Sequence, residues 1–229
     1  MFKLFNDDAN DVIAAIHQSQ AVIQFDLDGK IETANDNFLS LMGYSLSEIK
    51  GRHHRLFVED SEAASQRYKL FWQKLREGEV QMGEFCRITQ AGEEIWIHAS
   101  YTPIFKHGRV KKIIKFASDI TEKVAQRAEY QAQIKAINRA QAVIEFSLDG
   151  TILSANSNFL TLMGYNADEI IGEHHRIFVP PEHSRSSEYE SFWQRLRDGK
   201  YQTADYQRVT KDGSRIWIHA TYNPIPRFN

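Results

Sequence analysis

Two stretches of this 229-residue chain are copies of one another. Residues 21–104 and 142–225 align without a gap at a constant offset of 121 positions. About half of the roughly 84 aligned residues are identical, a length that suits one small domain rather than a solenoid repeat. AVIQFDLDG is answered by AVIEFSLDG, ANDNFLSLMGY by ANSNFLTLMGY, GRHHRLFV by GEHHRIFV, and EEIWIHASYTPI by SRIWIHATYNPI. A gap-free repeat of this size means one fold made twice. Residues kept in both copies are candidates for what that fold, or its ligand, needs.

Each copy is long enough to bury its own core. The 42% hydrophobic and 25% charged fractions are those of an ordinary globular protein. A net charge of −2 offers no basic field to a polyanion and argues against nucleic-acid binding. The single cysteine, Cys86, excludes an intramolecular disulfide framework and fits a reducing, cytoplasmic setting; the second copy has Gln207 there. No apolar run is long enough for a membrane span, and the opening MFKLFNDDAND is not a signal peptide, so no membrane contact is expected through this segment.

Within a copy, hydrophobic periodicity assigns the elements. Residues 1–19 form an N-terminal helix, opened by Asn6-Asp7-Asp8 and carrying Val12, Ile13 and Ile16 on an apolar face. AVIQFDL alternates as a strand, and Asp28-Gly29 turns it into a second. Short helical pieces follow, then one helix over residues 60–77, where Tyr68, Phe71-Trp72 and Leu75 recur at helical spacing. Three long strands complete the copy. Two strands, helices, then three strands indicate an α+β domain with helices on one face of an antiparallel sheet. The domains are residues 20–120 and 141–229, joined by a helical linker over 121–140 that transmits motion, dimerises or merely spaces.

These motifs resemble the PAS family of sensory domains over nearly the whole chain. The resemblance is carried by the DG hairpin, AN-x-NF-x-x-LMGY, E-I-x-G, FW-x-x-L-x-x-G and the closing D-I-T at Asp119–Thr121. HHR-x-FV and IWIHA-x-Y-x-PI are similar to the tandem PAS pairs of soluble methyl-accepting chemotaxis proteins and, more distantly, to the flavin-binding PAS domain of aerotaxis receptors. The resemblance implies a five-stranded sheet of order 2-1-5-4-3, with the last strand central beside the first. Copy 2 stops a strand short: Pro226-Arg227-Phe228-Asn229 matches the first copy's hairpin tip, and truncation is the favoured cause, with proteolysis, disorder or a strand supplied by another chain as alternatives.

The same resemblance implies a non-enzymatic sensory module with a downstream signalling domain and a homodimeric state. It puts FAD first as cofactor, b-type haem on one axial histidine second, and an empty pocket third. A cofactor-free scaffold, or the input region of a kinase or cyclic-dinucleotide enzyme, is the alternative. His53, His54 and Arg55, with His174, His175 and Arg176, are conspicuous polar clusters; adjacent side chains diverge, which argues against one metal held by both histidines. In PAS proteins this region borders the pocket; otherwise it caps a turn. Trp96 and His98 share one face of a strand expected to be buried on both sides, and Trp217 is the copy-2 equivalent. Trp72 and Trp193 are aromatic candidates or plain core. Asn35 and Asn156 are N-caps by position, and flavin contacts by resemblance to the aerotaxis receptor. No nucleophile–base constellation, P-loop or zinc motif is present in the sequence.

Overall fold

The computed structural model describes residues 4–225. Helix α1 (Leu4–Ser19) precedes strands β1 (Ala21–Phe25) and β2 (Ile31–Ala34). Next come α2 (Asp36–Met42), α3 (Leu46–Ile49), a 3-10 turn (His54–Phe57), α4 (Asp60–Ala64) and α5 (Gln66–Arg76). Strands β3 (Gln81–Ile88), β4 (Glu94–Lys106) and β5 (Arg109–Asp119) close the first domain. The antiparallel sheet has the order β2-β1-β5-β4-β3, as expected, so the strand made last sits in the middle. Ile23 and Phe25 of β1, Ile97 and Tyr101 of β4 and Ile113 of β5 are fully buried against Phe38, Met42, Phe57 and Leu75 from the helical face.

Three local expectations need correction. The helix expected over 60–77 is two helices, because Ser65 takes an extended ψ of 155° and its Oγ accepts the Tyr68 N–H at 3.1 Å, capping a new start. Val12 is exposed rather than packed, and the side chains of Asn6, Asp7, Asp8 and Ile13 lie outside those described. What ties α1 down is polar: Asn37 Nδ2 donates to the carbonyls of His17 and Gln18, each at 3.1 Å. Finally, β4 is buried on one face only. His98 is exposed and Trp96 half-buried on the outer face, where Glu84 and Cys86 of β3 flank them.

Helix α6 (Thr121–Ala140) follows and buries none of its residues. The second domain repeats the plan with β6 (Ile144–Phe146), β7 (Ile152–Ala155), α7 (Ser157–Met163), α8 (Ala167–Ile170), a 3-10 turn (His175–Phe178), α9 (Pro181–Ser184), α10 (Ser187–Arg197), β8 (Gln202–Val209) and β9 (Arg215–Tyr222). Here β6 pairs with β7 and β8 with β9, and no described strand lies between β6 and β9. Pro226–Asn229 fall outside the described residues. The core accordingly divides into two clusters, and Phe146 and Tyr222 are half-buried where their counterparts Phe25 and Tyr101 are completely buried. The chain forms two compact units, 1–128 and 129–229.

Candidate functional site

Asn35 starts α2, and every hydrogen-bonding position of its amide is taken. Oδ1 accepts the N–H groups of Val22 (2.8 Å) and Phe38 (3.0 Å), while Nδ2 donates to the carbonyls of His17 (2.9 Å) and Gln20 (2.8 Å). One side chain thus joins α1, β1 and α2. Asn156 repeats the arrangement with Val143, Phe159, Asn138 and Gln141. Both asparagines are structural pins with no capacity left for a ligand.

The paired histidines part company as the 3-10 turn requires. His53 Nδ1 accepts the Arg55 N–H at 3.0 Å and caps the turn. Its ring lies against Gly29, whose φ of +78° and close neighbours leave no room for a side chain: a Cβ would sit 2.9 Å from His53 Nε2 and 3.1 Å from Trp72 Cζ2. Arg55 is exposed. His54 turns inward and is fully buried, with Nδ1 2.8 Å from Tyr68 Oη and Nε2 3.0 Å from Tyr101 Oη. Arg87, 2% exposed, donates from Nη2 to Tyr101 Oη at 3.3 Å. With Arg87 feeding the Tyr101 oxygen, the tyrosine proton is free for Nε2, and the imidazole proton then lies on Nδ1 facing Tyr68. Burial first, then the charge of Arg87, holds the His54 pKa well below its ordinary value, so the ring is neutral. Burial likewise pushes the Tyr68 hydroxyl up to about 12.

Domain 2 rebuilds the cluster. His175 Nδ1 is 2.9 Å from Tyr189 Oη, Nε2 is 3.1 Å from Tyr222 Oη, and Arg208 Nη2 donates to Tyr222 Oη at 2.9 Å. Domain 1 adds Lys115 from the central strand, fully buried, its Nζ without a hydrogen-bond partner and 5.1 Å from the Tyr101 ring centre. Burial, reinforced by Arg87, drives its pKa far down.

A crevice opens beside each cluster, between the long helix and the edge strand. In domain 1, between α5 and β3, it measures about 220 Å³ and is lined by Glu62, Tyr68, Phe71, Met82, Phe85 and Arg87 among others. In domain 2, between α10 and β8, it reaches about 700 Å³ and includes His175, His183, Tyr189, Phe192, Tyr206 and Arg208. The latter lies within the size range of small-molecule sites.

Of the residues singled out in the sequence, His175 alone has the buried, crevice-facing position a pocket residue needs. Trp72 and Trp193 are core, edge-on to Phe25 and Phe146 respectively. Trp217 stands on the outer face, 70% exposed, where it reaches the crevice rim. Arg176 is exposed and His174 caps its turn. The nominated set therefore does not fit a flavin or a haem: the asparagines are saturated, both nitrogens of His54 and His175 are engaged, and the tryptophans face different environments. Sequence reasoning missed Tyr68, Arg87 and Tyr101 with their partners Tyr189, Arg208 and Tyr222. All three pairs are identical between the copies, and Tyr101 and Arg87 lie on inward-facing strand positions, which was the available signal.

Among the described residues no helix is long and apolar enough to cross a membrane. The biofilm dispersion protein BdlA of Pseudomonas aeruginosa is 42% identical over 214 residues, covering 93% of this chain and 51% of that protein. The aerotaxis receptor of Escherichia coli is 26% identical over 113 residues, covering 49% of this chain and 22% of the receptor. The chain thus spans about half, or less, of the length of these relatives. Among solved structures, an RNA-binding light-oxygen-voltage receptor aligns with a TM-score of 0.46 at 23% identity, over 58% of this chain and 39% of that one. A family profile described as the PAS fold matches residues 31–117 and 152–229. The chain belongs to the PAS-fold family.

Proposed function

We propose that this chain is the tandem PAS input region of a chemotaxis-receptor-type sensory protein. In this reading it is a cytoplasmic, non-enzymatic module that passes a redox, oxygen or small-ligand signal to a signalling domain of the full-length protein. The observation that carries the reading is the double attachment of β4. Its inward Tyr101 is bonded to the buried His54. Its Trp96 N–H donates to Thr121 Oγ1 at 2.9 Å, and its Trp96 carbonyl accepts the Ile120 N–H at 2.8 Å. Thr121 Oγ1 in turn donates to Asp119 at 2.6 Å and begins α6. A shift in the histidine–tyrosine–arginine cluster therefore reaches the start of α6 through one strand. A ligand drives such a switch only by binding the two states unequally.

The similarity to the biofilm dispersion protein and the aerotaxis receptor supports a receptor-type sensory role. FAD is the cofactor that the aerotaxis similarity puts first, with b-type haem and an empty pocket as its alternatives. Oxidised-flavin bands in the purified chain would support it, a Soret band would replace it with haem, and a colourless chain would remove both. A homodimer belongs to the same proposal: Tyr130, Ile134 and Ile137 stand exposed on α6 at spacings of four and three, the pattern of a helix seam for a second copy.

Hydrogen exchange tests the coupling. Tyr101→Phe removes the hydroxyl that joins His54 to Arg87, and amides 120–124 should then exchange several-fold faster than in the parent chain. Unchanged exchange at those amides, with domain 1 still folded, would sink the reading.

A further inference from the structure

We infer that the domain-2 crevice binds a small carboxylate with an aromatic or apolar body, its carboxylate standing where domain 1 supplies that of Glu62. The inference rests on reading this crevice as the sensory pocket. In domain 1 the buried guanidinium of Arg87 faces one carboxylate, Glu62, whose Oε1 lies 3.7 Å from Nη1. The repeat offset places His183 at the equivalent position in domain 2. Arg208 keeps the remaining environment: it is 4% exposed, donates to the Gln207 carbonyl at 2.9 Å and to Tyr222 Oη at 2.9 Å, and lies 4.7 Å from the Tyr206 ring centre. Among the described residues no carboxylate comes within ion-pair distance of it.

A desolvated guanidinium without a counter-charge is unfavourable, and its planar fork matches a carboxylate. Space is available for one. The crevice is about 700 Å³ where its domain-1 equivalent is about 220 Å³, and Thr203 stands where domain 1 has Met82. Tyr189, Phe192 and Tyr206 supply apolar walls. The other acidic groups there are engaged or outside: Glu182 pairs with Arg215 at 2.8 Å, Asp205 with His219 at 2.7 Å, and Glu188 is exposed. Domain 1 is the plugged version of the same site and domain 2 the open one.

Calorimetric titration of the whole chain with phenylacetate and indole-3-acetate, each against its primary amide, tests this. The acids should bind at one site per chain, and the neutral amides about ten-fold or more weaker, as expected for loss of a charge-assisted bond. His183→Glu, at an exposed position that leaves the fold intact, should plug the site and abolish binding. Glu62→His combined with Met82→Thr, which removes the carboxylate and the longer side chain together, should create a second site in domain 1. Equal affinity for acid and amide, binding unaffected by H183E, or no binding of either acid would each overturn the inference. None of these results would disturb the coupling of β4 to α6, which the exchange experiment tests separately.

Discussion

His54 stays neutral because its cage is dry and already carries the positive charge of Arg87. The unfolded chain takes up a proton at this residue near the ordinary pKa of about 6.5, whereas the folded chain does not. Its contribution is therefore fully present above about pH 6.5 and is lost as pH falls, at up to about 1.4 kcal/mol per pH unit. His175 behaves alike, with burial and then Arg208 depressing it. Urea midpoints should accordingly drop on going from about pH 7.5 to 5.5, above the range where carboxylates titrate. His54→Gln, which keeps a donor and an acceptor, should flatten the domain-1 part; an unflattened profile would assign the effect elsewhere. Lys115 makes the opposite test. Its amine is buried without a partner, so Lys115→Met should stabilise domain 1 by about 1–4 kcal/mol and raise its urea midpoint. A lowered midpoint would mean that the amine is held. The sequence disclosed the histidines but not their partners. Adjacent histidines are conspicuous by eye, whereas Tyr68, Arg87 and Tyr101 lie 14 to 47 residues away from their network partners and converge only through the sheet.

At the scale of elements, periodicity performed well where a face is buried and poorly where a cap decides. The alternation of β1 and β4 was legible because inward residues meet a continuous apolar layer. The break between α4 and α5 was not, since the helical spacing of Tyr68, Trp72 and Leu75 lies wholly within α5 and leaves unmarked the new start that one serine hydroxyl caps. The outer face of β4 misled for a related reason: Trp96 is apolar enough to suggest burial, yet it lies half-open to solvent. The junction from β5 into α6 is the element most open to test. Thr121→Val deletes the acceptor for the Trp96 N–H and the donor to Asp119. It should cost about 1 kcal/mol, as helix caps do, and free the first turn of α6 to exchange rapidly while the core of β4 stays protected. Equal protection of that turn in T121V and parent would show that the helix is held by something else.

For the molecule as a whole, the repeat proved a reliable guide to the fold and a partial one to the site. Two copies of one plan were expected and are present, but one has a continuous sheet and a single core, the other two strand pairs and a divided core. Amides of β6 and β9 should therefore exchange well before those of β1 and β4, and urea should unfold domain 2 first. A single cooperative transition with equal protection would contradict this. Self-association belongs to this scale too: Ile134→Glu should shift sedimentation from dimer to monomer without changing the secondary structure, and a parent chain that is already monomeric would remove the α6 seam. The central place of β5 has a consequence for biosynthesis. Gln24 on β1 and Lys112 on β5, which are hydrogen-bonded in the finished domain, are 88 residues apart. At ribosomal rates that separation takes on the order of ten seconds to translate, and throughout it the nascent β1 has an unpaired edge. The domain's most central pairing is thus also its last to form, and the emerging chain is most vulnerable to misassociation just before its sheet closes.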